Sequence, residues 1–233
     1  MSKKVIIGIV AGVIGLVAVG SILFLTVFSD SANTDNQNNN TQNENNNNSK
    51  KESFEYGQDY INNNLGDYLL VFNVKSYENG ESDSTSIEIR KTKAGYYMSS
   101  GGSETLFIKN GDKFDVYMGS DGEFEKSGMQ YDEDMVHAMM NVYTMYMSSY
   151  ASYGSELTKV GTDTVAGRKC DKYSYEFTYP MYNYKYVYSY YIDKATGVGL
   201  KHTMELKGEG KKMGYEFEAT KFETSGVSLP AYQ

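Results

Sequence analysis

YNYKYVYSYYIDKATGVGLKHTMEL, residues 182–206, is the stretch that decides the architecture of this 233-residue chain. Tyr182, Tyr184, Tyr186, Tyr188 and Tyr190 recur at every second position, the period of a strand whose side chains alternate between two faces. Asp193-Lys194-Ala195-Thr196-Gly197 then breaks the pattern with turn residues. Beyond it Val198, Leu200, His202, Met204 and Leu206 fall on one side, and Lys201, Thr203, Glu205 and Lys207 on the other. Two alternating runs about a short turn make a long antiparallel hairpin with one apolar face.

The same alternation extends in both directions. Upstream, Tyr68, Leu70, Phe72 and Val74 alternate, followed by Ile87 and Ile89, Leu106-Phe107-Ile108, and Phe114, Val116 and Met118. Asn110-Gly111 and Asp121-Gly122 punctuate these runs and are expected as the central pairs of tight hairpin turns, where positive φ is required. A short helix-like stretch over residues 54–65, ending at Gly66, precedes the first run. Tyr173, Tyr175 and Phe177 alternate just before the central hairpin, and residues 215–224 form a last strand with Tyr215, Phe217 and Ala219 on one side. The glycine-rich 208–214 segment lacks the spacing of a phosphate cradle. It is read as a hairpin loop.

One helix is expected among the strands, over residues 132–150. Asp132, Glu133 and Asp134 suit its positive N-terminal end, and Met135, Met139, Val142, Tyr146 and Tyr150 recur at helical spacing. Val136, Met140, Tyr143 and Met147 widen that apolar face, opposite a polar stripe that includes His137. Met129, Met135, Met139, Met140, Met145 and Met147 place six of the 12 methionines in or beside this helix. Methionine is flexible and polarizable and repacks around varied apolar groups. Such a face either lids an apolar cavity or fills an ordinary core, and the sequence leaves both readings open. The fold class is mainly β (α+β): an unclosed antiparallel β-barrel packed around a helix, preceded by one N-terminal transmembrane helix.

Three segments carry a family resemblance. The run from Gly161 through Val165, Gly167 and Cys170 to Tyr173, the Asp193-Lys194-Ala195-Thr196-Gly197 hairpin with Leu200-Lys201, and the ending Val227-Ser228-Leu229-Pro230 resemble the LolA/LolB-like outer-membrane lipoprotein-sorting superfamily over about residues 60–232. The resemblance implies a half-barrel whose concave apolar side is covered by helices and receives acyl chains or other hydrophobic ligands. These are turn and strand signals, so they speak to fold before function. A membrane anchor is a departure from the family's soluble carriers and lipidated receptors.

The N-terminal quarter is of a different kind. Residues 5–28, VIIGIVAGVIGLVAVGSILFLTVF, are uncharged and as a helix extend about 36 Å, against a hydrocarbon core of about 30 Å. Lys3 and Lys4 precede this run and no acidic residue comes before Asp30. The positive-inside rule then places the N-terminus in the cytoplasm and the remainder outside. A cleaved signal peptide is the competing reading, but the apolar run is longer than such peptides use and Ser29-Asp30-Ser31 before Ala32 is a poor cleavage signal. Residues 29–52 are rich in Asn and almost free of apolar side chains, the composition of a disordered tether. The expected organisation is a cytoplasmic tip and anchor at 1–28, a linker at 29–52 and a single β domain at 53–233, giving a single-pass cell-membrane protein with an extracytoplasmic domain.

Removing residues 1–28 with their two lysines takes the net charge from −8 to −10. That excess of acid argues against nucleic acid as a partner. With Cys170 as the only cysteine, an intrachain disulfide is excluded and packing must hold the domain together. His137 and His202 are the only histidines, and no H-E-x-x-H, C-x-x-C, P-loop or G-x-S-x-G motif occurs. We therefore expect no enzyme, no catalytic residues, no metal site and no cofactor. His202 is expected as a hydrogen-bonded core residue and Cys170 as a small buried hydrophobe.

The candidate ligand-binding residues are Met135, Met139, Tyr143 and Tyr146 on the helix with Leu200, His202 and Met204 on the hairpin. They would meet a lipid or other hydrophobic ligand. The alternative is a surface interaction, adhesion or regulatory module that uses the tyrosine-rich face without a small ligand; its protein partner is not named by the sequence.

Overall fold

The structure, a computed structural model, describes Tyr56 and residues 60–61, 64–179, 184–208 and 211–232, with the side chains at 142, 143, 155, 179, 211 and 212 outside that set. The expected membrane segment and tether lie outside the described residues. Among the described residues no helix is long and apolar enough to cross a membrane.

Among the described residues, eleven strands form one antiparallel sheet. They are β1 (Tyr68–Glu78), β2 (Glu81–Thr92), β3 (Gly95–Ser100), β4 (Ser103–Asn110), β5 (Lys113–Ser120) and β6 (Glu123–Tyr131), then β7 (Thr158–Val165), β8 (Arg168–Tyr179), β9 (Tyr184–Asp193), β10 (Gly199–Gly208) and β11 (Lys211–Glu223). Between β6 and β7 lie helix α1 (Glu133–Ser148) and a 3₁₀ helix (Ser149–Glu156). The spatial order is β6-β5-β4-β3-β2-β1-β11-β10-β9-β8-β7. The chain starts mid-sheet, winds outward to β6, crosses by α1 to the opposite edge, and winds back until β11 pairs with β1, with Leu70 facing Phe222. β6 and β7 remain as the two edges, so the barrel is unclosed.

Tight turns set the registers. Asp121 and Gly122 both have positive φ, 55° and 81°, as the expected Asp-Gly turn requires, and Ser120 pairs with Glu123 around them. The Asn110-Gly111 expectation is off by one residue. Asn110 pairs with Lys113, so the central pair is Gly111-Asp112, and of these only Gly111 has positive φ. The Asn110 side chain is used elsewhere, donating to Asp115 Oδ2 at 2.9 Å.

Alternation gives the sheet two faces. Tyr96, Phe107, Phe114 and Val116 join the main core with α1, whereas Tyr97, Leu106 and Tyr117 form a second cluster on the other side. The C-terminal tail straps that outer cluster: Leu229 packs on it, Tyr232 lies 4.9 Å from Tyr117 between ring centroids, and Arg90 Nη1 donates to the Ser228 carbonyl at 2.9 Å. The ending read as part of the family pattern is therefore a cover for apolar surface.

Asp132 caps α1, accepting from the Met135 amide at 2.8 Å, and Glu133 and Asp134 favour the same positive end. Among the described side chains, Val136, Met140, Met147 and, in the following 3₁₀ turn, Tyr150 are buried on this face. Tyr150 is wholly buried and its hydroxyl donates to the Gly197 carbonyl, tying the end of the helical segment to the β9–β10 turn. Asp193 organises that turn: its carboxylate accepts from the Thr196 amide at 3.1 Å and hydroxyl at 2.7 Å, and from the Arg168 guanidinium at 3.2 and 2.8 Å. The Asp-Lys-Ala-Thr-Gly motif is thus a structural corner.

Candidate functional site

The inner face of the sheet, the one beneath α1, carries a continuous aromatic file. The 3₁₀ helix sets Tyr153 on Tyr175 and Tyr188, 5.0 and 5.8 Å between centroids, and Tyr188 lies nearly parallel to Tyr190 at 6.4 Å. Tyr190 stacks on His202 at 4.3 Å, His202 lies 6.2 Å from Phe217, and Tyr146 of α1 closes the file by stacking on Phe217 at 3.8 Å. The register explains it, because His202 pairs with Tyr190 on one side and Phe217 on the other. Residues directly opposite in neighbouring strands share a face.

Burial shifts the chemistry of this file. The Tyr188 hydroxyl is pushed up to about 12, chiefly by burial, and Tyr190 and Tyr215 are raised further for the same leading reason. These phenols stay neutral. His202 is 5% exposed and its imidazole is pushed down to about 3 by burial. Among the described residues neither ring nitrogen has a hydrogen-bond partner. The expectation of a hydrogen-bonded core histidine is therefore corrected in one respect: the ring is buried, but stacking between aromatic rings excludes the polar neighbours that would satisfy it.

A small cavity of about 20 Å³ opens beside this ring. Leu70 and Phe72 of β1 and Phe217 and Ala219 of β11 wall one side; Leu200 and His202 of β10 wall another; Tyr146 and Met147 of α1 cover it. Gly199 belongs here for a steric reason: a Cβ there would sit 3.2 Å from the Met147 carbonyl oxygen.

Of the residues expected at a ligand site, Tyr146, Leu200 and His202 converge on this cavity. Met139 is half-buried and packs against the main core without reaching the wall. Met135 is 50% exposed, on the outside of the helix. Met204 is half-buried between Tyr188 and Tyr215 in the register, one step along the face from His202. The Tyr143 side chain lies outside the described residues. Sequence reasoning missed Met147 and the β1 and β11 residues as wall, although Leu70, Phe72, Phe217 and Ala219 were legible as inner-face positions.

Other polar groups are committed to structure. His137, on the solvent side of α1, is 2.7 Å from the Tyr96 hydroxyl. Asp171 is buried and receives the Tyr56 hydroxyl at 3.0 Å and the Lys159 ammonium at 3.1 Å, fastening the segment before β1 to β8. Cys170 is wholly buried and its thiol is pushed up to about 12, chiefly by burial. Among the described residues no group of three or more His, Cys, Asp or Glu is placed to hold a metal ion.

No protein-family model and no curated protein matches the sequence. Solved structures are similar to it. One is the crystal structure of MucB, 17% identical with a TM-score of 0.35, covering 74% of this chain and 60% of that one. The complex of MucA and MucB from Pseudomonas aeruginosa matches at 16% identity and a TM-score of 0.34, over 73% of this chain and 58% of that one. Structures of the LolA superfamily are also similar to this chain. The one from Nitrosomonas europaea is 9% identical with a TM-score of 0.24, covering 75% of this chain and 95% of that one. The chain spans about 60% of the length of MucB, and the fold described above rests on its own strand order.

Proposed function

We propose that this domain is a non-catalytic binding module, held outside the membrane by residues 5–28, that takes a hydrophobic ligand between the inner face of its sheet and α1. The observation that carries this reading is the cavity at the meeting of α1, β1, β10 and β11, whose lining is apolar apart from His202, Lys201 and Tyr146. A preformed pocket for a sizeable ligand measures about 300–1,000 Å³. The cavity here is about 20 Å³, so binding requires α1 to lift and Tyr146 to leave its stack on Phe217. Among the described residues the cover over the cavity is Tyr146 and Met147, so this is the part of the helix that has to move.

The test is thermal unfolding of the full chain in nanodiscs, with and without added fatty acids, fatty alcohols, phospholipids and isoprenoids. A ligand that binds only the folded state raises stability by RT ln(1 + [L]/Kd). Tyr146→Ala, which removes the cover, should alter that shift more than Met135→Ala. No shift with any member of the panel would move the reading to a protein-interaction module, the role for which the MucA–MucB complex offers a likeness. The topology is tested separately. Residues beyond 29 should be reached by protease from outside intact cells and stay membrane-bound in alkaline wash, whereas release of a protein beginning near Ala32 would show a cleaved signal peptide.

A further inference from the structure

We propose that His202 is the hydrogen-bonding anchor of the inner-face cavity, and that the ligand end it receives is a neutral group able both to donate and to accept, a hydroxyl or a primary amide. This rests on the binding reading above and narrows it to a class of ligand. A neutral imidazole offers one N–H donor and one bare nitrogen acceptor, whichever tautomer is present. Both are buried and unpartnered, and a buried polar group without a partner is costly enough that nearly all such groups find one. His202 lines the cavity beneath Tyr146 and Met147. The cavity's volume of about 20 Å³ exceeds the roughly 10–15 Å³ needed for a water-sized group, but both ring nitrogens are sealed from it, so a hydroxyl reaches His202 only as Tyr146 leaves its stack.

The wall selects against charge. Leu70, Phe72, Phe217 and Ala219 supply no donor from their side chains, and a carboxylate or phosphate placed there would be desolvated without a counter-ion. Lys201 touches the cavity, but its ammonium is 2.7 Å from Glu218 and 3.3 Å from Glu216. It is already neutralised. A carboxylate only accepts, so it matches the ring only where an N–H faces it, whereas a hydroxyl or amide serves the nitrogen it meets in either tautomer.

The experiment uses the full chain in nanodiscs, labelled with ¹⁵N at histidine, and four short probes that differ in one end: 1-hexanol, hexanamide, hexanoate and hexane. The sequence has two histidines, so solvent-facing His137 is an internal reference. Hexanol and hexanamide should move the His202 ring nitrogens while His137 stays put, with affinity at least about tenfold above hexanoate, the ratio one hydrogen bond of ordinary strength supplies. His202→Phe should abolish the preference of hexanol over hexane. If that variant does not fold, the wild-type probe comparison alone decides. Equal binding of hexanoate, or hexane binding as tightly as hexanol, overturns the anchor and leaves the hydrophobic-binding reading standing. No perturbation by any of the four probes overturns both.

Discussion

Tyr190 and His202 lie face to face across β9 and β10, their ring centroids 4.3 Å apart and their planes 17° from parallel. The contact buries an imidazole without satisfying it, and a pH signature follows. The folded ring is pushed down to about 3 from an ordinary value of 6.5, so between these limits the unfolded chain binds the extra proton. Stability should be complete above about pH 6.5 and fall as pH drops toward 3, with a slope of at most about 1.4 kcal/mol per pH unit. Asp115, lowered from 3.8 to about 2 chiefly by its hydrogen bond from Lys126, contributes above pH 3.8 and loses that contribution only below it. Urea titrations between pH 4.5 and 6 therefore isolate the histidine, and His202→Phe should flatten the slope there. An unchanged slope in that variant would show that another group sets it.

Tyr150→Phe removes the hydroxyl that ties the 3₁₀ turn to the Gly197 carbonyl. The ring still fills its site, so the loss is polar. A buried acceptor left unmatched costs about 1–3 kcal/mol, to be read as a lowered urea midpoint with unchanged slope.

Cys170 should be slow to react with thiol reagents in the native protein, because burial holds it protonated and out of reach. Reaction with a disulfide reagent should appear only on unfolding. Cys170→Ala is expected to cost about 1–2 kcal/mol and to leave ligand binding alone. Rapid labelling in native buffer would contradict the burial.

Gly214 pairs with Tyr77 in the β1–β11 register, and the tyrosine ring lies over it. A Cβ there would collide with the Met204 carbonyl oxygen and come within 2.6 Å of the Tyr77 hydroxyl. Gly214→Ala should destabilise by about 1–3 kcal/mol, the cost of overpacking a tight site. Pairing it with Tyr77→Ala should recover part of the loss by freeing one of the two obstacles; a simple sum of the two effects would mean that the backbone oxygen alone sets the clash.

The central hairpin, the caps of α1 and the alternation of the inner face could all be read from residues near each other in sequence. Asp193 and Gly197 announced their turn, and Asp132 its helix. The wall of the cavity could not be read this way, since Leu70 and Phe217 become neighbours only when the first strand pairs with the last, and no local pattern encodes that choice. Met135 illustrates a second limit: spacing placed it on an apolar stripe with Met139, but that stripe is wider than the surface available beneath it, and the helix turned Val136 and Met140 inward instead. His202 was legible as buried. Its lack of partners follows from the rings stacked beside it, and those rings come from two other strands, β9 and β11.

Every neighbouring pair in the sheet except one is consecutive in the chain; the exception is β1 with β11. Cut at α1, the chain would leave two meanders, β1 to β6 and β7 to β11, each held by short-range closures that cost little chain entropy. The seam between them closes a loop almost as long as the domain, and such closures are slow. Assembly should therefore run as two independent zippers that dock at a single late joint. Substitutions at Phe72 and Phe217, which meet across it at 6.2 Å, should act on the unfolding rate, whereas weakening the Asp121-Gly122 turn should slow refolding. The same seam carries two walls of the cavity, so the site comes into being only at the last step of folding.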